Sequence, residues 1–331
     1  MDLVFFLVGV LTLAGFYAIL SMILNLTAGW AGMWDLGIAG LVAVGAYTFV
    51  VTTQTGIDVG LQFAPQWPMW AGILAAAAAS GLVAFLVGVP ALRLRGEYFL
   101  ITTLAFAEVI RQLALNLNGI TRGPDGFSQL ARPFQSAFAG RQYRIVLLVI
   151  VLLVVVLVQL MMRRLARSPY GRLLRAFRDN ESVALSLGKY VTRHRVILFT
   201  FSGVLIGAVS PLYVWHIRGI VPQLFAAELT FVVWTALVIG GIGSLAGPLL
   251  GAFTLIVLTE MLTFLQGSAQ YATLLAATRP IILGILLILI MRYRPSGIVR
   301  ERRSFAGAST RVSADVPRPG DRTPEEAGLT S

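Results

Sequence analysis

Long apolar runs, separated by short polar or glycine-rich stretches, set the pattern of this chain. Leu3 to Leu24, Leu36 to Thr53, Met69 to Leu92 and Ile145 to Met162 contain no charged residue. A bilayer-crossing helix needs about 20 mainly apolar residues, and each of these runs approaches or exceeds that length. A lipid-facing β-barrel would instead show segments of about 10 residues that alternate apolar and polar. Ile145 to Val158 is continuously apolar, which excludes the barrel. The predicted fold class is therefore all-α, a polytopic integral membrane helix bundle. Nine crossings are expected, within a range of 8 to 10, near 3–24, 33–53, 69–91, 97–117, 144–162, 196–215, 226–243, 247–266 and 274–291. No charge occurs from Leu229 to Thr259, a stretch of 31 residues that is too long for one ordinary span. Gly240, Gly241, Gly243, Gly247 and Pro248 supply the required break.

Composition agrees with this pattern. Only 12% of the 331 residues are charged and 57% are hydrophobic, whereas ordinary globular chains are about 25% charged. A formal charge of +11 raises nucleic acid as a partner, but the 26 basic residues lie mostly between spans or in the tail, so no nucleic acid is expected. Their placement reads as topology. Arg93 and Arg95, the loop 163–195 and everything from Arg292 onward hold 19 of the 26 basic residues. Lys and Arg concentrate in cytoplasmic loops, which places the N-terminus outside and the C-terminus inside. The N-terminus lacks the positive region of a cleavable signal peptide, so the first helix is expected to stay. From Ser304 the chain turns polar, with Pro317, Pro319, Pro324 and four acidic residues. Residues 1–303 are thus expected to form a transmembrane domain, and 304–331 a tail expected to be disordered.

Candidate chemistry is sparse. There is no cysteine, and the two histidines, His194 and His216, do not make a metal set, so neither metal nor cofactor is expected. A nucleotide-binding P-loop needs Gly-Lys-Ser/Thr. The only lysine, Lys189, follows Gly188 but precedes Tyr190, so any ATP hydrolysis must come from another chain. Charged residues within or beside spans are Asp35, Glu108, Arg111, Glu228 and Glu260. Each such charge costs about 2.5–3.5 kcal/mol at the membrane centre, so each is expected to face protein or water, and Glu108 is spaced to pair with Arg111. Asp35 is the foremost functional candidate because it sits in a glycine-rich break. The break Gly29 to Gly37 resembles Gly240 to Pro248, and paired breaks point to transport sites. Asp35, Gly37, Glu108, Gly240 and Gly243 are accordingly candidates for the translocation path. Gly243, Gly247 and Gly251 form a small-xxx-small series that permits close helix contact.

The loop 163–195 holds nine of the 26 basic residues and has helix grammar. Ser168 precedes Pro169 as a cap precedes a first-turn proline. Leu173, Leu174 and Phe177 form an apolar stripe among Arg172, Arg175 and Arg178, and Gly188 suits a left-handed helix end. Two readings stand: an interfacial helix on anionic lipid, or a lever pressed into a groove of a cytoplasmic partner. The loop 116–144, with Asn118-Gly119, Thr121, Arg122 and Gly123-Pro124-Asp125-Gly126, faces outward in this topology.

Four blocks in order along residues 20–300 carry a resemblance. They are Asn25 to Gly32 with Asp35-Leu36-Gly37 and Gly45-Ala46-Tyr47; Leu92 to Phe99 with Thr103-Leu104-Ala105-Phe106; Gly171 to Glu181 with Gly188; and Gly240 to Gly251 with the ending Arg294-Pro295-Ser296-Gly297. Together they resemble LivM-type permeases, the membrane subunits of branched-chain amino acid ABC importers. The resemblance implies an inner-membrane permease rather than an enzyme, moving branched-chain amino acids or similar small polar solutes. Its implied partners are a second permease subunit, two ATP-binding subunits, an extracytoplasmic solute-binding protein and membrane lipid. It also implies an ATPase-coupling role for Gly171, Arg172, Leu174, Arg175, Phe177, Glu181 and Gly188. Where the family often shows Ala-Ala-Glu in that segment, this chain has Val183-Ala184-Leu185. Alternatives are a urea or short-amide permease, a proton-coupled secondary transporter using Asp35 or Glu108, and a membrane-anchored scaffold.

Overall fold

The computed structural model describes residues 3–53, 66–94, 96–133, 138, 140–265, 281, 284–285, 288, 292–293 and 297–301. The expected span 274–291, apart from isolated positions, and the tail 304–331 lie outside the described residues. The helices all belong to one compact unit, Met1–Arg300.

Among the described residues helices account for nearly all regular structure: α1 (Leu3–Leu24), α2 (Ile38–Thr53), α3 (Met69–Ala91), α4 (Glu97–Asn116), α5 (Arg141–Arg167), α6 (Pro169–Asp179), α7 (Glu181–Ser186), α8 (Val191–Ile217), α9 (Ala227–Gly240) and α10 (Gly247–Leu265). Among the described residues, five helices are long and apolar enough to cross a membrane, and three apolar helices are shorter. The only strands described, β1 (Phe127–Ser128) and β2 (Gly219–Ile220), pair antiparallel and tie the loop after α4 to the end of α8.

The central element is α1. It continues as a π-helix through Asn25–Trp30, giving a run of 28 residues, about 42 Å at helical rise. Its second half is buried almost without interruption among α5, α8, α9 and α10. Small residues bring the other helices close. Gly45 of α2, Ser80 of α3 and Gly207 of α8 meet at one point, where a methyl group on Gly45 would lie 2.8 Å from the Gly207 Cα. In lipid, where apolar burial does not drive helices together, such backbone approach is what packs them. Outward faces are apolar, with Leu82, Phe85 and Leu86 on α3 and Val149, Leu153, Val156 and Leu160 on α5 all exposed. Those are surfaces for hydrocarbon.

Two expectations change. The span expected at 33–53 becomes helical only at Ile38, because residues 32–37 are unwound. The series Gly243, Gly247, Gly251 does not share one helix face: α10 begins at Gly247, and Gly243 lies in the preceding turn at φ +82°. Gly247 and Gly251 still meet α9, since a methyl group on either would press on Gly240.

Candidate functional site

Three features converge around the end of α1. The first is the break at 32–37. Unwound backbone at membrane depth survives only where its polar groups are satisfied by protein or water. Here the Thr103 hydroxyl accepts the Leu36 N–H at 3.0 Å, the Asp35 carboxylate accepts the Gly37 N–H at 2.7 Å, and the Thr230 hydroxyl accepts the Ala39 N–H at 3.1 Å. The Trp234 indole donates to the Asp35 carbonyl at 2.8 Å. Asp35 is only 2% exposed, so in this conformation it organises the N-terminus of α2. Its neighbour Trp34 is the exposed member of the break, at 50%, and stacks on Trp234 with centroids 5.3 Å apart. Gly37 is buried, with no room for a larger side chain between Asp35 and Thr103.

The second feature is the turn 241–246 between α9 and α10. Asn25 accepts the Gly243 N–H at 2.7 Å and donates to the Ser244 carbonyl at 2.8 Å, while the Trp30 indole donates to the Gly243 carbonyl at 3.1 Å. The two glycine-dense segments are thus in direct contact. Gly240 approaches the Gly247 backbone too closely for a side chain, and its carbonyl accepts the Val299 N–H at 3.0 Å. Gln159 of α5 donates to the Leu245 carbonyl at 2.9 Å.

The third feature is the segment 168–188. Ser168 caps α6 by accepting the Gly171 N–H at 3.1 Å, and Asn180 caps α7 by accepting the Val183 N–H at 3.2 Å. Gly188 closes the segment at φ +70°. Arg172 and Arg175 fold back onto carbonyls of Arg167 and Ala166 at the end of α5, at 3.3 and 3.0 Å. Glu181 pairs with Arg195 of α8 at 3.1 Å. Gly171 is packed against the end of α5. The stripe of Leu174 and Phe177, expected to face a partner, is turned inward instead. Leu174 is 0% and Phe177 1% exposed. Phe177 and Tyr170 each place a ring 5.7 Å from the His194 ring at the start of α8, and burial raises the Tyr170 phenol above its usual value. The stripe is amphipathic because its apolar side seats α6 on its own chain. The exposed apolar residues are instead Val183, Leu185, Leu187 and Tyr190.

Arg178 joins the first and third features. Its guanidinium donates to the Gly29 carbonyl, and its stem lies against Gly32, itself at φ +67°. Sequence reasoning names Arg178 only among the arginines of the basic loop and Thr103 only within the Thr103-Leu104-Ala105-Phe106 block, with no role for either, and it does not single out Trp34 or Trp234. A lone arginine in a basic loop and a tryptophan beside a break carry no distinguishing spacing.

On α4, the Arg111 guanidinium donates to Glu108 at 2.9 Å and Gln112 donates to it at 2.9 Å. Glu108 is exposed among Ile101, Val109 and Leu113, which are exposed too. Asp35, by contrast, stays enclosed. The structure therefore does not unite the five path candidates in one pocket: Gly240 and Gly243 hold the turn, Asp35 and Gly37 hold the break, and Glu108 faces out.

The chain matches the model of a family described as branched-chain amino acid transport system / permease component over residues 6–291. It is 36% identical over 319 residues to the high-affinity branched-chain amino acid transport system permease protein LivM of Escherichia coli (strain K12), covering 89% of this chain and 70% of that one. A probable branched-chain amino acid transport permease protein LivM of Methanocaldococcus jannaschii is 29% identical over 321 residues, covering 87% and 91%. An autoinducer 2 import system permease protein LsrC of Klebsiella pneumoniae is 32% identical over 130 residues, covering 38% and 37%. No solved structure matches.

Proposed function

The chain belongs to the family of branched-chain amino acid transport system permease components, and from that premise we propose that it carries branched-chain amino acids inward as one of two permeases in an ATP-driven importer. The observation that carries the mechanism is Arg178. It links α6 to the Gly29 carbonyl just before the unwound segment. A partner that displaces the α6–α7 unit pulls on the break directly, and α6 is clamped to the start of α8 as well. In this reading one of the two ATP-binding subunits docks on Val183, Leu185, Leu187 and Tyr190, its twin docks on the second permease, and ATP-driven closure switches the path between outward- and inward-facing states. Arg172, Arg175, Glu181, Leu174 and Phe177 then act inside the chain, keeping the segment rigid so that displacement is transmitted.

The path is assigned to the surfaces where Trp34 and the Glu108–Arg111 pair are exposed. Exposed charge at membrane depth is costly against lipid, which supports a second permease or a water-filled lumen beside Glu108. Trp34 offers an apolar platform suited to a branched side chain. The opposite end of the bundle, around β1 and β2, would receive the extracytoplasmic solute-binding protein. Proton coupling is not favoured, because Glu108 is engaged by Arg111 and Gln112 and Asp35 by Gly37.

The test is uptake of labelled leucine by proteoliposomes holding the full assembly. Uptake that requires ATP and the binding protein, and that falls when Trp34 is replaced by Ala, is the expected result. Uptake without ATP, abolished by an uncoupler, overturns the reading.

A further inference from the structure

At the end of the bundle remote from α6 and α7, the first turns of α1, the start of α5, the end of α8 and one side of α10 line a cavity of about 920 Å³. Its lining combines the charged and titratable groups of Arg132, Arg144, Arg218, His216 and Glu260 with the apolar side chains of Phe5, Phe6, Leu13 and Leu147. Three guanidiniums against one carboxylate, among the described lining residues, leave an excess of positive charge. Burial first, and the charge of Arg218 second, lower the Arg132 guanidinium to about 10. Arg144 and Arg218 share this lining with Arg132, so an anion in the cavity would meet converging positive charge.

A second observation concerns Tyr143, which also lines the cavity. Arg132 sits 4.7 Å above its ring, the side chain is 2% exposed, and its hydroxyl has no hydrogen-bond partner among the described residues. Buried hydroxyls are normally partnered, and an oxygen-rich ligand supplies what this one lacks.

We propose that this cavity holds the phosphate of an anionic phospholipid between Arg144 and Arg218, with its hydrocarbon against Phe5, Phe6 and Leu13. Basic pockets between transmembrane helices on the cytoplasmic side recognise lipid head groups, and this cavity offers the same chemistry at the other end of the bundle. A volume of this size suits a ligand much larger than a bare phosphate. The first turn of α1 beside the cavity exposes Leu3 and Val4 at 51% and 66%, so the cavity adjoins a surface made for hydrocarbon. A soluble anion would need no such surface. An acidic protein loop would bring no hydrocarbon to Leu13 and Leu147.

The test uses the assembled transporter exchanged into phosphatidylcholine, titrated with phosphatidylglycerol and read by native mass spectrometry. Wild type is expected to retain phosphatidylglycerol over phosphatidylcholine. Arg144→Gln and Arg218→Gln should each weaken that retention about tenfold, the scale of one lost charge-assisted hydrogen bond. Arg144→Lys should recover part of it, and Arg122→Gln, at the same end but outside the cavity lining, should leave it unchanged. Each variant is compared as a monodisperse assembly. Equal retention of both lipids by wild type, or equal loss in Arg122→Gln, overturns the proposal. So does a rise in melting temperature with inorganic phosphate alone that matches the rise with phosphatidylglycerol, which would assign the site to a soluble anion. Loss of binding-protein capture in Arg144→Gln with lipid retention intact would assign it to an acidic protein surface and overturn it as well.

Discussion

The Asn25 side chain holds both polar groups of a turn 218 residues away, accepting the Gly243 N–H at 2.7 Å and donating to the Ser244 carbonyl at 2.8 Å. A carboxamide is suited to this, since it carries an acceptor and donors on one short stem. Asn25→Leu strands both groups in a buried site, at about 1–3 kcal/mol each. The expected outcome is a clearly lower melting temperature of the purified assembly. Asn25→Asp should fall between, keeping the Gly243 bond while setting a carboxylate against the Ser244 carbonyl. An unchanged melting temperature for Asn25→Leu would show that this bridge does not hold the fold together.

The α9–α10 hairpin depends on absent side chains. A methyl group on Gly240 would overlap the Gly247 carbonyl region, and one on Gly251 would sit 2.5 Å from the Gly240 nitrogen. Backbone cannot yield as a flexible side chain can. Gly240→Ala is therefore expected to cost at least about 1–3 kcal/mol, the usual range for overpacking, and Gly247→Leu to prevent recovery of folded assembly. Size-exclusion profiles of the two variants check this. A wild-type profile for Gly247→Leu would show that the hairpin opens without consequence.

The coupling segment separates two kinds of apolar residue. Phe177→Asp puts a charge into a site that is 1% exposed, against His194, and should unseat α6 from its own chain. Leu187→Asp changes a residue that is 73% exposed and should leave the subunit intact. If Leu187 docks into an ATP-binding subunit, burying it contributes about 1.5–3 kcal/mol, so its loss weakens co-purification about tenfold or more. Stability assays and co-purification on both variants distinguish the roles. Normal co-purification in Leu187→Asp would move the docking surface elsewhere.

The bundle is legible in the sequence because lipid-spanning helices need long uncharged runs, and nothing else in a chain looks like that. The α6 start is legible as well: Ser168 and Pro169 act locally, so their roles can be read without tertiary contacts. The direction of the Leu174–Phe177 stripe is not. Periodicity shows that a helix has an apolar face, but not whether that face meets a partner or its own chain. The break is legible in the glycines of Gly29 to Gly37, but the start of α2 at Ile38 is not, because it is set by Thr103, Thr230 and Trp234 from distant helices together with the Asp35 carboxylate. Asp35 is legible as special yet not as enclosed, because burial depends on Trp234 from far along the chain.

Asp35 offers a test of clasp against proton carrier. As a clasp it needs an acceptor for the Gly37 N–H, which an amide oxygen also provides. Asp35→Asn should then retain most ATP-dependent uptake, while Asp35→Ala loses the bond and about 1 kcal/mol or more of local stability. Uptake by either variant should be indifferent to an uncoupler when ATP is ample. Abolished uptake in Asp35→Asn with a wild-type melting temperature would point to a titrating role.

Topology follows from charge and is open to direct reading in a chain with no cysteine. Lys189 lies in the exposed end of the coupling segment, and Gly119 lies in the turn after α4, exposed and with nothing within 4 Å of an added side chain. α4 runs from the Arg93 end of the bundle to the Gly119 end, so the two sites fall on opposite sides of the membrane. With 19 of 26 basic residues gathered on the side of Lys189, that side is expected to be cytoplasmic. An impermeant maleimide applied to intact cells should label Gly119→Cys and reach Lys189→Cys only after permeabilisation. Both substitutions fall at tolerant positions, so the labelling reports orientation rather than damage. Labelling of position 189 in intact cells would invert the subunit, place α7 outside, and leave it unable to meet any ATP-binding partner.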